Sequence, residues 1–258
     1  MQAHLIYNPN SGGIEQFTET ELLDSLRAAG FDAFYQPTSR EDDLDAALEN
    51  VEGLVVAAGG DGTLRAVATR LIGKGVPLAI LPAGTANNIW RTFSVHASPK
   101  EIINGLKEPV SRYFDIGHVR APWGNDYFLE AFGFGLYADI LHFYEPEKGK
   151  SVIRSISALI QALSTPRPHR CRISLDGKDI SGDYLLFEVL NTTAMGPRIK
   201  LAPEADPDDG LFEIVRIRED NRESLLTYIS GLLVEELEEL PGVEVSRGAW
   251  PWPGSRRH

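Results

Sequence analysis

Short apolar runs alternate with helical patterns through the first half of the chain. Four of the runs predict buried strands, at residues 3–7, 31–35, 54–56 and 76–81. Helical patterns lie between and after them, at residues 15–29, 41–50, 64–72 and 89–93. Gly30 is a natural stop for the first helix, and Ser39 is a candidate N-cap for the second. Strands that alternate with helices in this way predict an α/β domain with a parallel sheet.

The pattern changes near residues 113–117, beyond which strand-like runs predominate, at residues 127–132, 170–175, 184–190 and 211–217. Helical patterns occupy residues 152–163 and 222–240, and the apolar stripe of the second is typical of a helix packed on a core. We therefore expect an α/β domain over residues 1–118 and a mainly β sandwich domain over residues 119–246. Residues 247–258 predict an irregular tail, because proline lacks the N–H that a strand donates.

Composition excludes several classes of function. The formal net charge of -12 argues against nucleic-acid binding and against electrostatic docking on anionic lipid, although brief membrane contact through apolar residues stays open. No apolar run is long enough to cross a bilayer, and the first residues lack the features of a signal peptide. Cys171 is the only cysteine, which fits a reducing cytoplasm. No motif fixes the oligomeric state, so a homodimer stays open.

The segment with the most distinctive chemistry is Ala-Ala-Gly-Gly-Asp-Gly-Thr at residues 57–63, between a predicted strand and a predicted helix. Its glycines allow positive φ and leave backbone N–H groups uncovered, and the helix N-terminus adds partial positive charge. That combination favours phosphate. Asp61 has a place there if it holds a magnesium ion, a ribose hydroxyl or a substrate proton. A plain tight turn is the alternative interpretation.

Two further polar loops follow predicted strands, at residues 8–13 and 82–88. In a parallel sheet the loops after the strands lie along one edge, where such sheets bind ligands. Asn8 and Ser11 are candidate donors to phosphate, although both residues also suit a simple turn. Thr38, after the second strand, is most simply a turn or cap residue.

These loops resemble the diacylglycerol kinase catalytic-domain family, which includes bacterial lipid kinases and sphingosine kinases and is distantly related to NAD kinases. The resemblance rests on Asn-Pro-Asn-Ser-Gly at residues 8–12, Gly-Gly-Asp-Gly-Thr at 59–63 and Pro-Ala-Gly-Thr-Ala-Asn-Asn at 82–88. Residues 113–117, 130–135 and 201–211 also resemble family segments, so that the likeness spans roughly residues 3–246. It implies an α/β nucleotide domain, a β-sandwich and an ATP cleft between them.

The resemblance also implies transfer of the γ-phosphoryl group of ATP to a lipid hydroxyl. Carried over by position, the residues that wrap or touch the nucleotide are Asn8, Ser11, Thr38, Gly59, Gly60, Asp61, Gly62, Thr63, Leu64, Arg65, Gly84, Thr85 and Asn87. Asp61 is the candidate for a direct catalytic or metal-organising role. Magnesium would lie at the late acidic turn, held by Asp206, Asp209 and Leu211, partly through backbone carbonyl oxygens. An ordinary Asp-Gly turn is the alternative for that segment.

No sequence motif identifies the site that binds the acceptor lipid. Phe132, Phe134, Leu136 and Tyr137 are candidates to line it, and core packing is the simpler interpretation of all four.

The chain also departs from the family pattern. The Asp-Gly-Glu triplet that members carry near the C-terminus is absent, Asn88 stands where many members have aspartate, and Tyr137 where some do. One hypothesis is an active kinase in which another carboxylate, such as Asp61, serves as base. A second is a nucleotide- or lipid-binding relative with weak or no catalysis. A third is an enzyme like the NAD kinases, although the loops at 8–12 and 82–88 favour the lipid branch.

Overall fold

The computed structural model describes residues 1–9, 11, 17–38, 41–94, 97–143, 167–196, 199–221 and 242–249. The chain forms two compact units. The first comprises Met1–Tyr113, His118–Leu129 and Gly196–Arg198, and the second comprises Phe114–Gly117, Glu130–Met195 and Ile199–His258. No helix among the described residues is both long and apolar enough to span a membrane.

The first unit is built on four strands: β1 (Gln2–Tyr7), β2 (Asp32–Gln36), β3 (Leu54–Gly59) and β4 (Leu78–Pro82). They form a parallel sheet in the order β2-β1-β3-β4. Its helices are α1 (Glu19–Ala28), α2 (Asp43–Leu48), α3 (Asp61–Leu71), α4 (Asn88–Thr92) and α5 (Pro99–Gly105). Every residue of β3 is buried, so the sheet is covered on both faces at its centre. A hairpin of β5 (Gly117–Ala121) and β6 (Gly124–Phe128) follows.

The second unit is mainly antiparallel. Its main sheet contains β7 (Ala131–Gly135), β8 (His169–Cys171), β11 (Gly182–Leu190), β14 (Phe212–Arg218) and β15 (Val243–Gly248). The strand order is β15-β14-β11-β7, and β8 also pairs with β11. Small hairpins join β9 (Ser174–Leu175) to β10 (Lys178–Asp179) and β12 (Ala194–Met195) to β13 (Ile199–Lys200). Helix α6 (Leu136–Phe143) follows β7, and a 3₁₀ turn (Glu219–Asn221) follows β14.

Side chains alternate across this sheet and divide its apolar residues into two clusters. One face carries a cluster that includes Leu186, Leu190, Val215 and Ile217. The other face carries an aromatic cluster in which Phe134 stacks on Phe187, with ring centroids 5.2 Å apart.

The predicted fold class is confirmed: a parallel α/β unit precedes a mainly antiparallel β unit. Several element boundaries differ. The run at residues 127–132 is divided between β6 and β7, and the helix predicted to start at residue 15 begins at Glu19. That start follows from a capping box, in which Thr18 accepts from the Glu21 N–H and Glu21 accepts from the Thr18 N–H. Ser39 and the predicted helices at 152–163 and 222–240 lie outside the described residues.

Candidate functional site

Three of the predicted loops converge at one edge of the parallel sheet. All four strands run in the same direction, so the loops after β1, β3 and β4 leave from their carboxyl ends. Backbone hydrogen bonds connect the neighbouring loops. The Asn8 N–H donates to the Ala58 carbonyl (3.1 Å), and the Ala83 N–H donates to the Gly59 carbonyl (2.9 Å). The Asn8 side-chain amide also donates to Thr63 Oγ1 (2.9 Å). These contacts bring together Asn8, residues from 58–63 and Ala83.

The glycines of the two later loops allow close approach rather than unusual backbone angles. A β-carbon on Gly84 would lie 2.5 Å from the Gly60 Cα, and one on Gly59 would lie 2.5 Å from the Thr63 Cβ. The positive φ that glycine allows is not used in this turn, because Gly59, Gly60 and Gly62 all lie outside the positive-φ region. Steric room therefore explains why the two loops need glycine where they touch.

Asp61 is the first residue of α3 and joins the glycine turn to the next loop. Its Oδ2 accepts a hydrogen bond from the Asn88 N–H and its Oδ1 accepts one from the Ile89 N–H, both at 3.1 Å. These N–H groups belong to the first turn of α4, where intrahelical acceptors are missing. The half-buried carboxylate therefore holds the start of α4 against the start of α3.

Asn87 shapes the loop that precedes α4. It adopts a left-handed conformation with φ of 53°, and its side chain bonds Gly84 twice. The Gly84 N–H donates to Asn87 Oδ1, and Asn87 Nδ2 donates to the Gly84 carbonyl, each at 2.9 Å. This closed ring fixes the Gly84 backbone against Gly60.

The buried side chain of Asn88 was not among the predicted site residues. Its Nδ2 donates to the carbonyl of Gly196, which belongs to the same compact unit, at 2.8 Å. The sequence signals for it were its place at the end of the loop at 82–88 and the aspartate that many family members have at this position. Asn88 therefore tethers the start of α4 to a segment distant in sequence.

The N-terminus of α3 has the properties of an anion site. Gly60 is its N-cap and supplies no side-chain acceptor, so the N–H groups of Asp61, Gly62 and Thr63 have no acceptor within the helix. Gly62 is exposed, and a β-carbon there would have no neighbour within 4 Å. Uncapped N–H groups together with the helix dipole attract phosphate.

A small recess adjoins this N-terminus. The residues that line it are Gly59, Gly60, Asp61, Leu64, Ile80, Pro82, Asn87 and Trp90. Five of these are predicted site residues. Ile80, Pro82 and Trp90 were missed, because apolar residues at a strand end or on a short helix look like core residues in the sequence.

Arg65 contacts the β5–β6 hairpin. Its Nε donates to the Tyr127 carbonyl (3.0 Å), and its Nη2 lies 2.6 Å from Asp126 Oδ1. The pair is exposed, so its contribution to stability is small. In this structure the guanidinium that the resemblance assigns to phosphate thus bonds protein groups.

Three further predicted nucleotide residues are Ser11, Thr38 and Thr85. Thr85 is exposed, and Thr38 is half-buried just beyond the end of β2. The Ser11 N–H donates to the Asn8 carbonyl (3.2 Å), as the turn interpretation requires. The roles of these three residues stay predictions.

The predicted metal residues lie in an acidic turn of the second unit. Asp209 Oδ1 accepts from the Leu211 N–H (2.8 Å), and Asp206 Oδ1 accepts from the Asp208 N–H (3.2 Å). Asp115 Oδ2 accepts from the Gly210 N–H (2.7 Å). Burial raises the pKa of Asp115 and the three aspartates of the turn raise it further, although the hydrogen bond from Gly210 opposes this.

A metal ion at this turn needs ligands besides the carboxylates. Within the described ranges, no three His, Cys, Asp or Glu side chains are grouped so as to hold a metal. Magnesium suits such a place, because it binds one or two carboxylates and completes its shell with water and substrate phosphate. Asp206, Asp209 and the Leu211 carbonyl fit that donor chemistry, and their role stays a prediction.

The four candidates for an acceptor site do not share one surface. Phe134 belongs to the aromatic cluster, whereas Leu136 and Tyr137 pack with the leucines on the other face. Phe132 is 41% exposed. The core interpretation therefore suits Phe134 and Leu136 best.

Comparison with known proteins adds independent information. Residues 2–119 match the family model of the diacylglycerol kinase catalytic domain, and residues 148–250 match that of the YegS C-terminal NAD kinase beta sandwich-like domain. The chain is 30% identical over 240 residues to the diacylglycerol kinase of Bacillus subtilis (strain 168), with 85% of this chain and 75% of the relative covered. It is 31% identical over 235 residues to the diacylglycerol kinase of Staphylococcus aureus (strain bovine RF122 / ET3-1), with 85% and 71% covered.

The fold is similar to solved structures as well. A crystal structure from Bacillus anthracis str. Sterne, provisionally named a diacylglycerol kinase, superposes with a TM-score of 0.73 at 23% identity. The superposition covers 96% of this chain and 84% of that one. At this level of identity the likeness concerns the fold alone.

Proposed function

Because the chain belongs to the diacylglycerol kinase family, we propose that it is an ATP-dependent lipid kinase that transfers the γ-phosphoryl group to a lipid hydroxyl. The single observation that carries the proposal is the uncapped N-terminus of α3, which follows a buried parallel strand and adjoins the Gly60–Gly84 contact. Phosphoryl transfer needs mainly positioning and charge neutralisation, and backbone N–H groups supply both.

The three loops have distinct roles in this proposal. The N–H groups at Gly62 and Thr63 bind phosphate oxygens, and the Asn8 amide holds the Thr63 hydroxyl in place. Thr38 and Thr85 contact the rest of the nucleotide. Gly84 and Asn87 keep the third loop close enough to Gly60 for one ligand to contact both.

Asp61 is our candidate for the catalytic carboxylate. Each of its oxygens already accepts one backbone N–H, and a carboxylate oxygen has a second lone pair. The carboxylate can therefore orient α4 and also accept the proton of a hydroxyl. In this way Asp61 would replace the acid of the missing C-terminal triplet.

Magnesium would be held by Asp206, Asp209 and the Leu211 carbonyl. When bound, it supplies positive charge that offsets the phosphates. Asp115 also lies at this turn, where its Oδ2 accepts a hydrogen bond from the Gly210 N–H, and carboxylates gathered in this way favour a bound cation.

The test is transfer of labelled γ-phosphate from Mg-ATP to diacylglycerol, a sphingoid base, undecaprenol and NAD, each assayed separately. Asp61→Asn is the site variant, and Gly105→Ala, at the open end of α5, is the matched neutral variant. Labelled lipid that is lost only in Asp61→Asn supports the proposal. Labelled NAD supports an NAD kinase-like enzyme. ATP binding without transfer to any acceptor supports a catalytically inactive relative.

A further inference from the structure

Arg65 is the basic residue that stands closest in sequence to the polar loops of the candidate site. Those loops, at residues 8–13, 57–63 and 82–88, contain no lysine or arginine. Arg65 is the fifth residue of α3, and helical side chains lean toward the N-terminus, over the preceding turn. Its charge therefore adds to the positive end of the helix dipole instead of offsetting it, and both attract the same anion.

The guanidinium of Arg65 is held at two points by the β5–β6 hairpin. Its Nε donates to the Tyr127 carbonyl (3.0 Å), and its Nη2 donates to Asp126 Oδ1 (2.6 Å). These contacts occupy one edge of the planar group. The third nitrogen, Nη1, has no partner among the residues that the structure describes, and the side chain is 47% exposed. The hairpin therefore fixes the plane of the guanidinium and leaves Nη1 available to a ligand.

Asp61 is the acidic neighbour of Arg65 along α3. The two residues stand four apart, a spacing at which aspartate and arginine can pair across one helical turn. In the structure the Asp61 carboxylate accepts from the Asn88 and Ile89 N–H groups, whereas Arg65 bonds the hairpin. The hairpin therefore determines where this positive charge lies.

The hairpin side of the contact is itself braced. Asp126 Oδ1 also accepts from the Tyr127 N–H (2.7 Å), which fixes the carboxylate beside the carbonyl that Arg65 uses. On the neighbouring strand, the His118 ring stacks on the Tyr127 ring, with centroids 4.6 Å apart. The hairpin and α3 belong to the same compact unit. A chain of contacts thus runs from β5 through β6 to the guanidinium.

The strength of the Arg65–Asp126 ion pair does not explain this arrangement. Both side chains are exposed, and exposed pairs contribute little to stability. A guanidinium whose plane is already fixed loses less conformational freedom when it binds an oxyanion, and arginine recognises phosphate through such oriented N–H groups. The contact is therefore better suited to orienting Arg65 for a ligand than to stabilising the fold.

We propose that Asp126, together with the Tyr127 carbonyl, is a positioning residue that orients Arg65 so that Nη1 bonds a phosphate oxygen of the nucleotide. The inference rests on the proposed function, since it concerns how the same site holds ATP. Asp126 touches no phosphate itself and acts through Arg65. Its negative charge repels the nucleotide, so its orienting effect has to be separated from its charge.

The experiment measures the binding of Mg-ATP by calorimetric titration without lipid, with inorganic tripolyphosphate as a second probe. The full-length chain is compared with Asp126→Asn and Asp126→Ala. Both variants lose the negative charge, but asparagine keeps an oxygen that accepts from Arg65 and alanine does not. The difference in affinity between the two variants therefore isolates orientation from charge.

We expect Asp126→Ala to bind ATP and tripolyphosphate about fivefold more weakly than Asp126→Asn does. Asp45→Ala is the matched control. It removes a carboxylate that bonds Arg70, also on α3, at 2.6 Å, and that is 69% exposed, against 68% for Asp126. It should bind both probes within about twofold of the unaltered chain.

A double-mutant cycle tests whether Asp126 acts through Arg65. Arg65→Gln should weaken ATP binding roughly tenfold, and the difference between Asp126→Ala and Asp126→Asn should vanish in that background. A difference that persists without Arg65 would overturn the proposal. Equal affinities of the two Asp126 variants would overturn it as well, and so would no binding of either probe. Tighter binding by Asp126→Ala would make the hairpin a competitor of phosphate and reject the positioning role.

Two results separate this inference from the proposed function. If ATP binding depends on Asp126 and Arg65 but no acceptor is phosphorylated, the kinase is rejected and the positioning role stays. If lipid is phosphorylated with the same KM for ATP in Asp126→Ala and Asp126→Asn, the kinase stays and the positioning role is rejected. Thermal unfolding of every variant separates effects on folding from effects on binding. A loss of stability in Asp126→Ala without any loss of affinity would leave a purely structural pair.

Discussion

Gly60 and Gly84 touch through their backbones: a β-carbon on Gly84 would lie 2.5 Å from the Gly60 Cα. The two residues follow neighbouring strands, β3 and β4, and each begins a loop of the candidate site. In the proposed function, this contact would let the backbone groups of both loops reach the same nucleotide. The loops can therefore lie this close together only because both positions are glycine.

Gly84→Ala should destabilise the first unit and weaken nucleotide binding together. The added methyl group would meet the Gly60 backbone and also lie 2.7 Å from Asn87 Oδ1. Overpacking of this kind costs about 1–3 kcal/mol. Chemical denaturation would measure the loss, with Gly105→Ala as the control, since a β-carbon there has open space. Equal stability of the two variants would contradict the close contact.

Gly62→Ala should raise the stability of the fold and lower its affinity for ATP. Gly62 lies in the first turn of α3 with no neighbour near its β-carbon position, so alanine should raise stability by up to about 1 kcal/mol. Helical β-carbons point toward the N-terminus, which is where phosphate would bind. We therefore expect ATP affinity to fall about tenfold. Calorimetric titration with Mg-ATP, alongside thermal unfolding, tests both effects, and unchanged affinity would place the phosphates elsewhere.

Asp61→Asn should reduce phosphoryl transfer and also lower stability. An amide has one oxygen to accept from the Asn88 and Ile89 N–H groups, where the carboxylate offers two. We expect a loss of about 1 kcal/mol in the free energy of unfolding and a fall in turnover of roughly a hundredfold or more. Asp61 is thus not the independent exposed residue that a glycine turn suggests. The amount of folded protein must be measured alongside turnover.

If Asp61→Asn lost stability but kept full turnover per folded molecule, the residue would orient α4 and do nothing more. Asp24→Asn is a suitable control, since Asp24 pairs with Arg27 of the same helix, α1, and is exposed. It should leave turnover within about twofold.

Much of the first unit was predictable because its signals are local. Apolar runs predict the strands β1 and β3. Gly30 predicts the end of the first helix, and in the structure it has a φ of 94°. Helix α5 was missed, although Ser98 and Glu101 form a capping box around Pro99. The apolar stripe of this helix is short, so the capping box is the main signal for it in the sequence.

The links inside the site were not predictable, because they join residues far apart in sequence. Asp61 meets the Ile89 N–H and Asn88 meets the Gly196 carbonyl only after the sheet has formed. The reason for glycine at 133 lies on another strand, in the carboxyl group of Glu188. Sequence patterns report which residues are unusual, whereas their partners depend on strand order and register.

Asp209→Asn should weaken the magnesium dependence of transfer and leave ATP binding largely intact. The substitution removes a negative charge from a turn in which Asp206, Asp208 and Asp209 all raise the pKa of Asp115. A magnesium titration of turnover should shift to roughly tenfold higher concentration. Asp220→Asn, in the exposed 3₁₀ turn, is the matched control. A titration curve that does not move would rule out the acidic turn as the metal site.

Glu188→Gln should make stability less dependent on pH. The Glu188 carboxyl group has an ordinary pKa of 4.5 and a folded-state pKa of about 8 because burial disfavours its charged form. Its contribution to stability is therefore complete below pH 4.5 and is lost as the pH rises to about 8, by about 1.4 kcal/mol per pH unit. Glutamine cannot ionise, so the variant should exceed the unaltered chain in stability by several kcal/mol at pH 8.

Denaturation curves between pH 5 and 9 would measure this difference. Glu244→Gln is the control, because Glu244 pairs with Arg216 and Arg218, and its removal should leave the loss of stability toward pH 8 in place. Among the described residues, Glu188 and Glu130 both act electrostatically on Tyr137, and Glu213, on the same face of the sheet as Glu188, is bonded to Arg247. Since all of these remain in both variants, a flatter profile in Glu188→Gln alone would identify Glu188 as the buried proton-binding group. Parallel profiles would mean that its carboxylate is already ionised and stabilised at neutral pH.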